Sequence, residues 1–535
     1  MRKRDLLLLL LFGLLIRAGT AALIPHPGYM DAAYYAAGAV RLAQGGGFSA
    51  PFIWNYLNRP SGIPHPGFLY WMPLPSLLSA PFATLFPNSF FALQIPFALA
   101  GAMIPLVAYG LAWQATRQRL LAWGAGLLVL FSGFFFPYWT LPETFTPFAL
   151  FGGVALWLAG SPKPEIGSHG VAWRRWLLVG LLVGLAHLTR ADGILLLPVV
   201  ALAALIRGPK AEARASANAF HTSSVQNWVT GQGMRLLMVG LGYLLVMSPW
   251  FVRNIVVVGT PLSSASTKTI WLTEYDDLFC YDCNLSLSSY LAWGWGNILH
   301  SKLAALWINF QRFLAEDCLI FLFPFVIVGL YRLRRRLSFL MGSLYLVGIY
   351  LVHSIVFTFP GWRGSFFHAS SAVLPFLYAA GMKGLDVAVR WAARRRRTWR
   401  YQQARTVFAT SAVVAAIALS SYVAWQQISG WRKTDRLYVE VDRWLVGQEV
   451  PDAGVMVGNP PAFWYHAQRP AVVIPNGDVD TLLEAADHYE MGYVLLEEDR
   501  PAPLATLQPD EAHHPRLVPV KTWTDGGTVL YEVRP

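Results

Sequence analysis

The sequence has few cysteines and few charged residues for its length. Only three of its 535 residues are cysteine, and Asp, Glu, Lys and Arg together make up 13%. So few cysteines exclude a disulfide scaffold, and so little charge in a chain that is 55% hydrophobic excludes an ordinary soluble protein. Internal repeats, glycine-rich phosphate loops and nucleic-acid-binding modules are also lacking. Although the net charge is +12, the basic residues lie in short runs at the ends of apolar segments, so we expect no nucleic-acid partner.

Long apolar segments dominate the sequence instead. A helix needs about 20 apolar residues to cross the ~30 Å hydrocarbon core of a bilayer. We therefore predict an all-α polytopic membrane protein with about eleven transmembrane helices. The two segments around Thr189 are separated only by LTRADG, and fusing them would lower the count to nine or ten. The predicted spans are residues 6–24, 89–113, 119–137, 142–160, 175–189, 192–207, 235–252, 314–331, 337–357, 367–385 and 406–425.

The distribution of Lys and Arg predicts the orientation. With the N-terminus in the cytoplasm, 24 Lys and Arg lie in the inner connections and eight in the short outer ones, as the positive-inside rule requires. An uncleaved first span is favoured over a signal peptide, because cleavage near Ala22 would separate the first loop from its anchor. We expect an integral protein of a plasma (inner) membrane with large external loops at 25–88, carrying surface helices, and at 254–313.

The composition changes to that of a soluble domain at about residue 429. Alternating patterns such as VMVG, AVVIP, YVLLEE and TVLYEV predict strands, and VDTLLEAADHY predicts a helix. The sequence thus divides into a transmembrane domain, 1–428, and a small extracytoplasmic α/β domain, 429–535.

The first external loop opens with a single acid, Asp31, in GYMDAAYYAAGAVRLAQGGGF. The alanines between Ala32 and Gln44 favour a helix, and the three glycines that follow end it. Asp31 at the start of a helix has two interpretations. It caps the helix, or it is a functional carboxylate.

Five ionisable residues are predicted at the outer ends of different spans, where charge next to a membrane is a sign of function. Asp31 and Glu143 supply carboxylates, and Arg190, Arg253 and Arg363 supply cations. A carboxylate can act as a general base for an acceptor hydroxyl, and guanidinium groups bind phosphate oxygens. Arg190 has an alternative partner in the nearby Asp192. Further candidate substrate contacts are Tyr34, Tyr35, His65, Asn254 and His368.

Three features have simpler interpretations. Arg17, inside the first span, is expected to snorkel to the outer interface. Cys280 and Cys283 form a CxxC for which an incidental structural role is favoured over a disulfide or a metal site. We predict no metal and no other cofactor. The acidic residues of the later loop offer oxygen ligands for a divalent cation, although a solvated loop is the favoured interpretation; they are Glu274, Asp276, Asp277 and Asp282.

An ordered series of segments resembles one family of enzymes. Asp31 in the first loop, PHPGFLYWMPLPSLLSAPF, YWTLPETFTPF, GLLVGLAHLTRADGILLLP and SPWFVRNIVVVGTP are similar to segments of the polytopic glycosyltransferases of the C superfamily. The branch that the chain resembles is the bacterial one related to protein O-mannosyltransferases and the lipid A aminoarabinose transferase. Many relatives have an Asp-Glu pair in the first loop, whereas Ala32 follows Asp31 here, which leaves Glu143 as a partner or substitute.

The resemblance implies a function. It implies an inverting transfer of a sugar from a polyprenyl-phosphate donor to an acceptor hydroxyl outside the membrane, with Asp31 as base. The expected partners are that donor, an acceptor lipid, protein or polysaccharide, and membrane lipids. The alternative from the residues alone is a polytopic transporter or flippase of envelope precursors, and a third is a non-catalytic envelope scaffold.

Overall fold

A computed structural model of the chain describes residues 2–161, 169–206, 223–396, 398–450, 452–505, 507, 514–523 and 527–535. Within these residues the protein is mostly helical. The helices are α1 (Lys3–Leu23), α2 (Met30–Ala43), α3 (Leu74–Leu85), α4 (Phe90–Thr116), α5 (Arg119–Leu130), α6 (Phe145–Gly160), α7 (His169–Thr189), α8 (Leu196–Ile206), α9 (Ser223–Val258), α10 (Ser264–Lys268), α11 (Leu287–Ala292), α12 (Trp295–Arg312), α13 (Phe323–Leu333), α14 (Leu337–Leu351), α15 (Thr358–Pro360), α16 (Phe366–Ser370), α17 (Leu374–Arg395), α18 (Tyr401–Gly447), α19 (Pro460–Ala467) and α20 (Val479–His488).

Several described helices are long and apolar enough to cross a membrane. Six pass on length and composition, and α5 with the 3₁₀ segment Gly133–Thr140 makes a seventh that is bent by 64°. The multi-pass membrane class is therefore confirmed, while the predicted count of eleven is not. The four predicted spans outside this set are those of α7 and of α6, α8 and α13, and the last three are shorter apolar helices. The six helices are Lys3–Leu23, Phe90–Thr116, Gly231–Val258, Leu337–Val356, Thr358–Arg395 and Tyr401–Gly447.

The first external loop contains the two surface helices that its sequence predicts, α2 and α3. The helix α2 ends at Ala43 and the chain turns at Gly45, whose φ of +80° favours glycine. Its N-cap is Tyr29, so the capping interpretation of Asp31 is wrong. Asp31 lies in the first turn, where its carboxylate is free to face the protein interior.

The C-terminal region has the predicted α/β character, with one strand that the sequence does not predict. The sheet has the order β2-β5-β4-β6-β8-β7, and β2 comes from the first external loop. The helix α18 runs without a break across the boundary predicted at residue 428, so it joins the last span to this sheet. The strands are β1 (Ser49–Ala50), β2 (Phe52–Ile53), β3 (His65–Pro66), β4 (Gly454–Val457), β5 (Ala471–Val473), β6 (Met491–Leu496), β7 (Leu517–Trp523) and β8 (Thr528–Val533).

Both external loops are fastened to the C-terminal sheet. Phe52 and Ile53 pair in parallel with β5, and the Tyr56 hydroxyl donates to the carbonyl of Val473 at 2.5 Å. In the later loop, the carbonyl of Phe279 accepts a hydrogen bond from the Asn476 N–H at 2.9 Å. The C-terminal region therefore holds both external loops in place, including the first one, which carries Asp31.

The CxxC and the acidic loop have structural roles. Cys280 and Cys283 form a disulfide, so the favoured incidental interpretation is wrong and the disulfide alternative is right. The Asp277 carboxylate accepts hydrogen bonds from the backbone N–H of Thr273 and of Glu274, at 2.7 and 3.1 Å. Asp282 pairs with Arg59 at 2.9 Å. The carboxylates of Asp277 and Asp282 therefore have partners within the external loops.

Candidate active site

A cavity of about 930 Å³ lies between the ends of several membrane helices and the loops at 25–88 and 254–313. Its wall contains residues from the start of α2, from the bent segment before α6, from the break between α7 and α8, and from α18. Among the predicted site residues it is lined by Asp31, Tyr35, Arg190, Asn254, Arg363 and His368. The tertiary structure therefore brings together residues that are up to 337 positions apart in the sequence.

Asp31, Glu143 and His368 form one cluster. Nε2 of His368 lies 3.7 Å from Oδ2 of Asp31, and its Nδ1 lies 3.5 Å from Oε2 of Glu143. The ring of His368 stacks on Phe145 with 3.9 Å between centroids, which fixes its plane between the two carboxyl groups. His368 thus bridges the two acids, and Glu143, the expected partner of Asp31, is close to it although far away in sequence.

Thr144 joins this cluster to Arg190. Its Oγ1 lies 2.9 Å from Nδ1 of His368 and 3.2 Å from Oε2 of Glu143, and it accepts from Nη1 of Arg190 at 3.4 Å. Nothing in the sequence around Thr144 distinguishes it from an ordinary residue near a helix start, so sequence reasoning missed it.

The two acids differ in exposure and in pKa. The side chain of Asp31 is 26% exposed, whereas that of Glu143 is fully buried. Burial raises the pKa of Asp31 to about 6, against the opposing effect of the Arg190 charge. Burial also raises the pKa of Glu143 to about 8, with the Phe145 N–H opposing and the Asp31 charge adding to the rise. At neutral pH Asp31 is therefore mostly ionised and Glu143 mostly protonated.

The segment that carries Glu143 is held by Arg17. This arginine is fully buried, so its predicted snorkelling is wrong. Its Nη2 donates to the carbonyl of Leu130, the last residue of α5, at 2.9 Å, and its guanidinium lies over the rings of Phe136 and Trp139. The cation therefore satisfies an unpaired helix-end carbonyl at the 64° bend and packs against the 3₁₀ segment that leads to Glu143.

Arg190 forms an ion pair with Asp192, which is the alternative partner that the sequence offers in LTRADG. It donates two parallel hydrogen bonds to Asp192, at 2.9 and 2.7 Å, and Asp192 also contacts Nε2 of His353 at 3.1 Å. The carboxylate of Asp192 neutralises much of the guanidinium charge. Arg190 therefore supplies a fixed, partly compensated cation next to Asp31.

Arg363 is the cavity-lining arginine without an ion pair to a described acid. Its guanidinium lies 5.1 Å from the ring centroid of Tyr275, and its carbonyl accepts a hydrogen bond from Arg312 at 3.3 Å. Arg312 in turn pairs with Glu316 at 2.8 Å. The uncompensated charge of Arg363 makes it the side chain on this wall best suited to an incoming anion.

Three π-helical turns supply part of this wall. The turns Phe313–Asp317, Val352–Val356 and Gly361–Ser365 contain Glu316, His353 and Arg363 respectively. Such turns displace a side chain from its helical position and are frequent at functional sites. Sequence reasoning missed Arg312, Glu316 and His353, although the four-residue spacing of Arg312 and Glu316 at a span end was a readable sign of a pair.

The remaining predicted residues have other contacts. Arg253 donates to the backbone carbonyls of Phe48 and Gly67, at 3.2 and 2.9 Å, and is not part of the cavity wall. Tyr34 is buried and its hydroxyl accepts from the Phe68 N–H at 2.8 Å, while His65 lies 3.0 Å from the carbonyl of Phe52. Asn254 lines the cavity and donates to Pro261. Arg253, Tyr34 and His65 thus fasten the first loop.

Aromatic side chains form a further part of the cavity wall. Trp54 and Trp71 stack with 4.1 Å between ring centroids and an interplanar angle of 5°. Tyr35 and Tyr70 are next to them along the same wall. Flat aromatic faces of this kind suit the apolar face of a sugar ring.

The cluster of two acids and a histidine was also tested as a metal site. The candidate ligand atoms of Asp31, Glu143 and His368 all lie within 4.8 Å of one another, so their spacing fits a divalent cation. The ring of His368 is also held in place by its stacking on Phe145.

Comparisons with known proteins agree with the sequence resemblance. Residues 65–225 match the family described as dolichyl-phosphate-mannose-protein mannosyltransferase, a range that includes Glu143 and Arg190 but not Asp31. Among curated proteins, none matches the sequence.

The fold matches solved structures along nearly the whole chain. ArnT from Cupriavidus metallidurans bound to undecaprenyl phosphate is similar with a TM-score of 0.57 and 13% identity, over 99% of this chain and 98% of that one. The oligosaccharyltransferase of Archaeoglobus fulgidus in complex with Zn and sulfate is similar with a TM-score of 0.54 and 15% identity, over 91% of this chain and 67% of that one. The predicted fold, a polytopic and mostly helical protein with a small C-terminal α/β region, is therefore shared with these two solved structures.

Proposed function

We propose that this chain, which has the fold of the C superfamily, is an inverting glycosyltransferase that moves a sugar from a polyprenyl-phosphate donor to an acceptor hydroxyl. The observation that carries the proposal is that one cavity contains both a partly exposed carboxylate, Asp31, and an arginine that makes no ion pair with a described acid, Arg363. ArnT, a structural neighbour, was solved with undecaprenyl phosphate bound, which supports the donor class.

Asp31 is assigned as the general base. The acceptor oxygen forms a bond to the anomeric carbon while the bond from that carbon to the phosphate oxygen breaks. The proton of the acceptor hydroxyl passes to a carboxylate oxygen of Asp31, and the bonding electron pair leaves with the phosphate. Because attack and departure occur on opposite faces of the sugar, the anomeric configuration inverts. A base with a pKa near 6 is ionised at neutral pH yet basic enough to take a proton.

Arg363 is assigned to the phosphate. A polyprenyl phosphodiester carries one negative charge, and the polyprenyl phosphate that leaves carries a second, so the transition state gains charge on the phosphate oxygens. A guanidinium without a competing carboxylate stabilises that charge more than one that is already paired. Arg190 is paired with Asp192 and contributes orientation of Thr144 and His368 instead.

The membrane context suits a lipid donor. The cavity is bordered by α18 and by segments at the ends of membrane helices, so a polyprenyl chain can remain in the bilayer while its phosphate reaches the cavity. We place the site on the outer face of a plasma (inner) membrane, with a hexose or a pentose as the transferred sugar. The transporter alternative has no support among the described residues, since the ionisable cluster is built as a reactive site at one end of the helices.

The experiment uses the purified full chain with labelled polyprenyl-phosphate sugars. Wild-type protein should consume at least one hexosyl or pentosyl donor and give a product with inverted configuration by NMR. Arg363→Gln should lower kcat/KM for the donor about tenfold or more, because a charge-assisted hydrogen bond to the phosphate is lost. Arg59→Gln, which alters an exposed arginine paired with Asp282, is the matched control. Retention of configuration would contradict the proposal.

A further inference from the structure

The C-terminal sheet has a ligand-binding topology of its own. Its strands β5, β4 and β6 are parallel neighbours, in that spatial order. The chain runs from β4 through α19 to β5 on one side, and then through α20 to β6 on the other side of β4. The direction of winding therefore reverses between β4 and β6, and in open α/β sheets ligands bind outside the carboxyl ends of strands at such a reversal.

This crevice opens into the cavity that contains Asp31. Asn459 follows the carboxyl end of β4 and Asp499 follows that of β6, and both line the cavity, together with Thr434 of α18. The two loops are tied to each other, because Oε1 of Glu497 accepts from the Gly458 N–H at 3.2 Å and from the Tyr438 hydroxyl at 2.8 Å. The crevice is therefore a formed feature of the domain.

This part of the cavity wall differs in chemistry from the part that contains Arg363. Asp499 is exposed, makes no ion pair with a described residue, and is the only charged cavity-lining side chain that α18 and the C-terminal sheet provide. Asn459 uses its Oδ1 to cap α19, accepting from the Ala462 N–H at 3.2 Å, and its Nδ2 makes no hydrogen bond to a described residue. A carboxylate, an amide and the hydroxyl of Thr434 together accept from and donate to hydroxyl groups.

We propose that the crevice between β4 and β6 is the acceptor subsite, and that it takes an uncharged saccharide. This inference rests on the proposed function, because it concerns the acceptor of the same cavity. Asp499 accepts hydrogen bonds from sugar hydroxyls and repels anionic acceptors. The acceptor hydroxyl is thereby held in the same cavity as Asp31 and Arg363.

The test uses the full chain in lipid nanodiscs with defined probes. Calorimetry measures the Kd of undecaprenyl phosphate and of three neutral trisaccharides, namely maltotriose, mannotriose and triacetylchitotriose, and of trigalacturonic acid. The variants are Asp499→Asn, Asp499→Lys and Asn459→Asp, which keeps the helix cap. Glu498→Gln is the matched control, since Glu498 is an exposed acid that does not line the cavity.

We expect at least one neutral trisaccharide to bind the wild type, and its Kd to rise about tenfold in Asp499→Asn and about fivefold in Asn459→Asp. Glu498→Gln should change it less than twofold. Asp499→Lys should bind trigalacturonic acid at least tenfold more tightly than the wild type does. The Kd of undecaprenyl phosphate should stay within twofold of the wild-type value in every variant. Unchanged binding of this lipid also shows that the cavity of the variant is intact.

Other outcomes overturn the inference. It is wrong if no neutral trisaccharide binds, if Asp499→Asn and Glu498→Gln weaken binding equally, or if trigalacturonic acid binds the wild type as tightly as the neutral probes do. It is also wrong if a serine- and threonine-containing hexapeptide, rather than a trisaccharide, loses affinity in Asp499→Asn. Failure of undecaprenyl phosphate to bind the wild type would instead contradict the proposed function.

Discussion

Asp31 and Glu143 are two acids of one cluster that differ in how deeply the fold buries them. Asp31 begins a surface helix and reaches the cavity, whereas Glu143 lies behind Thr144 and Phe145 and is fully buried. Burial raises the pKa of Asp31 to about 6 and that of the more deeply buried Glu143 to about 8. At neutral pH Asp31 is therefore available as a base, while Glu143 carries a proton. The comparison shows that a second acid in an active site need not be a second base.

The largest effect is expected from Asp31→Asn. Loss of the base should lower the rate of sugar transfer about 10²- to 10⁴-fold, which is the usual contribution of general base catalysis. The Kd of undecaprenyl phosphate should stay within twofold, because Asp31 is not assigned to the phosphate. Wild-type turnover in the variant would remove Asp31 from the mechanism and make Glu143 the candidate base.

The pH dependence tests the same difference without a mutation. Since the base acts in its ionised form, the rate should fall as the pH drops through about 6, approaching tenfold per pH unit below that value. The rate of transfer measured between pH 4 and 9 at low donor concentration would show this fall on the acid side. A rate that is constant down to pH 4 would show that the reacting base has an ordinary carboxyl pKa.

Glu143→Gln should have a smaller effect. A glutamine amide resembles a protonated carboxyl group and still offers an oxygen to the Phe145 N–H, which Glu143 Oε1 binds at 2.8 Å. We expect a fall of less than about tenfold at pH 7, together with loss of any change in rate near pH 8, where the wild-type side chain ionises. A fall as large as that of Asp31→Asn would mean that the two acids act as a pair.

The smallest effect is expected from removal of metal. Although the ligand atoms of Asp31, Glu143 and His368 are spaced for a cation, the assigned roles need none. Dialysis against EDTA should change the rate of transfer less than twofold, and added Mg²⁺, Mn²⁺ or Zn²⁺ should not raise it. Loss of activity in EDTA that one of these ions restores would assign the cluster as a metal site.

The site shows where sequence reasoning reaches its limit. Asp31, Glu143 and Arg363 are predicted as ionisable residues at span ends, because charge near a membrane is costly, and His368 is predicted as a substrate contact. Arg253 satisfied the same rule and yet binds loop carbonyls, since the rule does not say which way a side chain points. Thr144 and His353 gave no signal, because their importance comes only from the partners that the fold places next to them.

Arg17 is a sharper case of the same limit. From the sequence it is one cation in an apolar span, for which an interfacial position has the lowest cost. In the fold it is buried against the bend after α5, where a helix-end carbonyl and two aromatic rings are available to it. The carbonyl at the bend belongs to a residue 113 positions away along the chain, so the sequence around Arg17 could not reveal this contact.

The sequence by itself determined the membrane class, the helix of Met30–Ala43 and its end, and the α/β character of the C-terminal region. Each of these follows from local periodicity, composition and turn chemistry, which act over a few residues. Only the tertiary structure decided which acid is buried, that Arg363 makes no ion pair among the described residues, and that a strand of the first loop completes the C-terminal sheet. Burial depends on neighbours far away in the sequence, such as His368 beside Glu143, and burial separates Asp31 from Glu143.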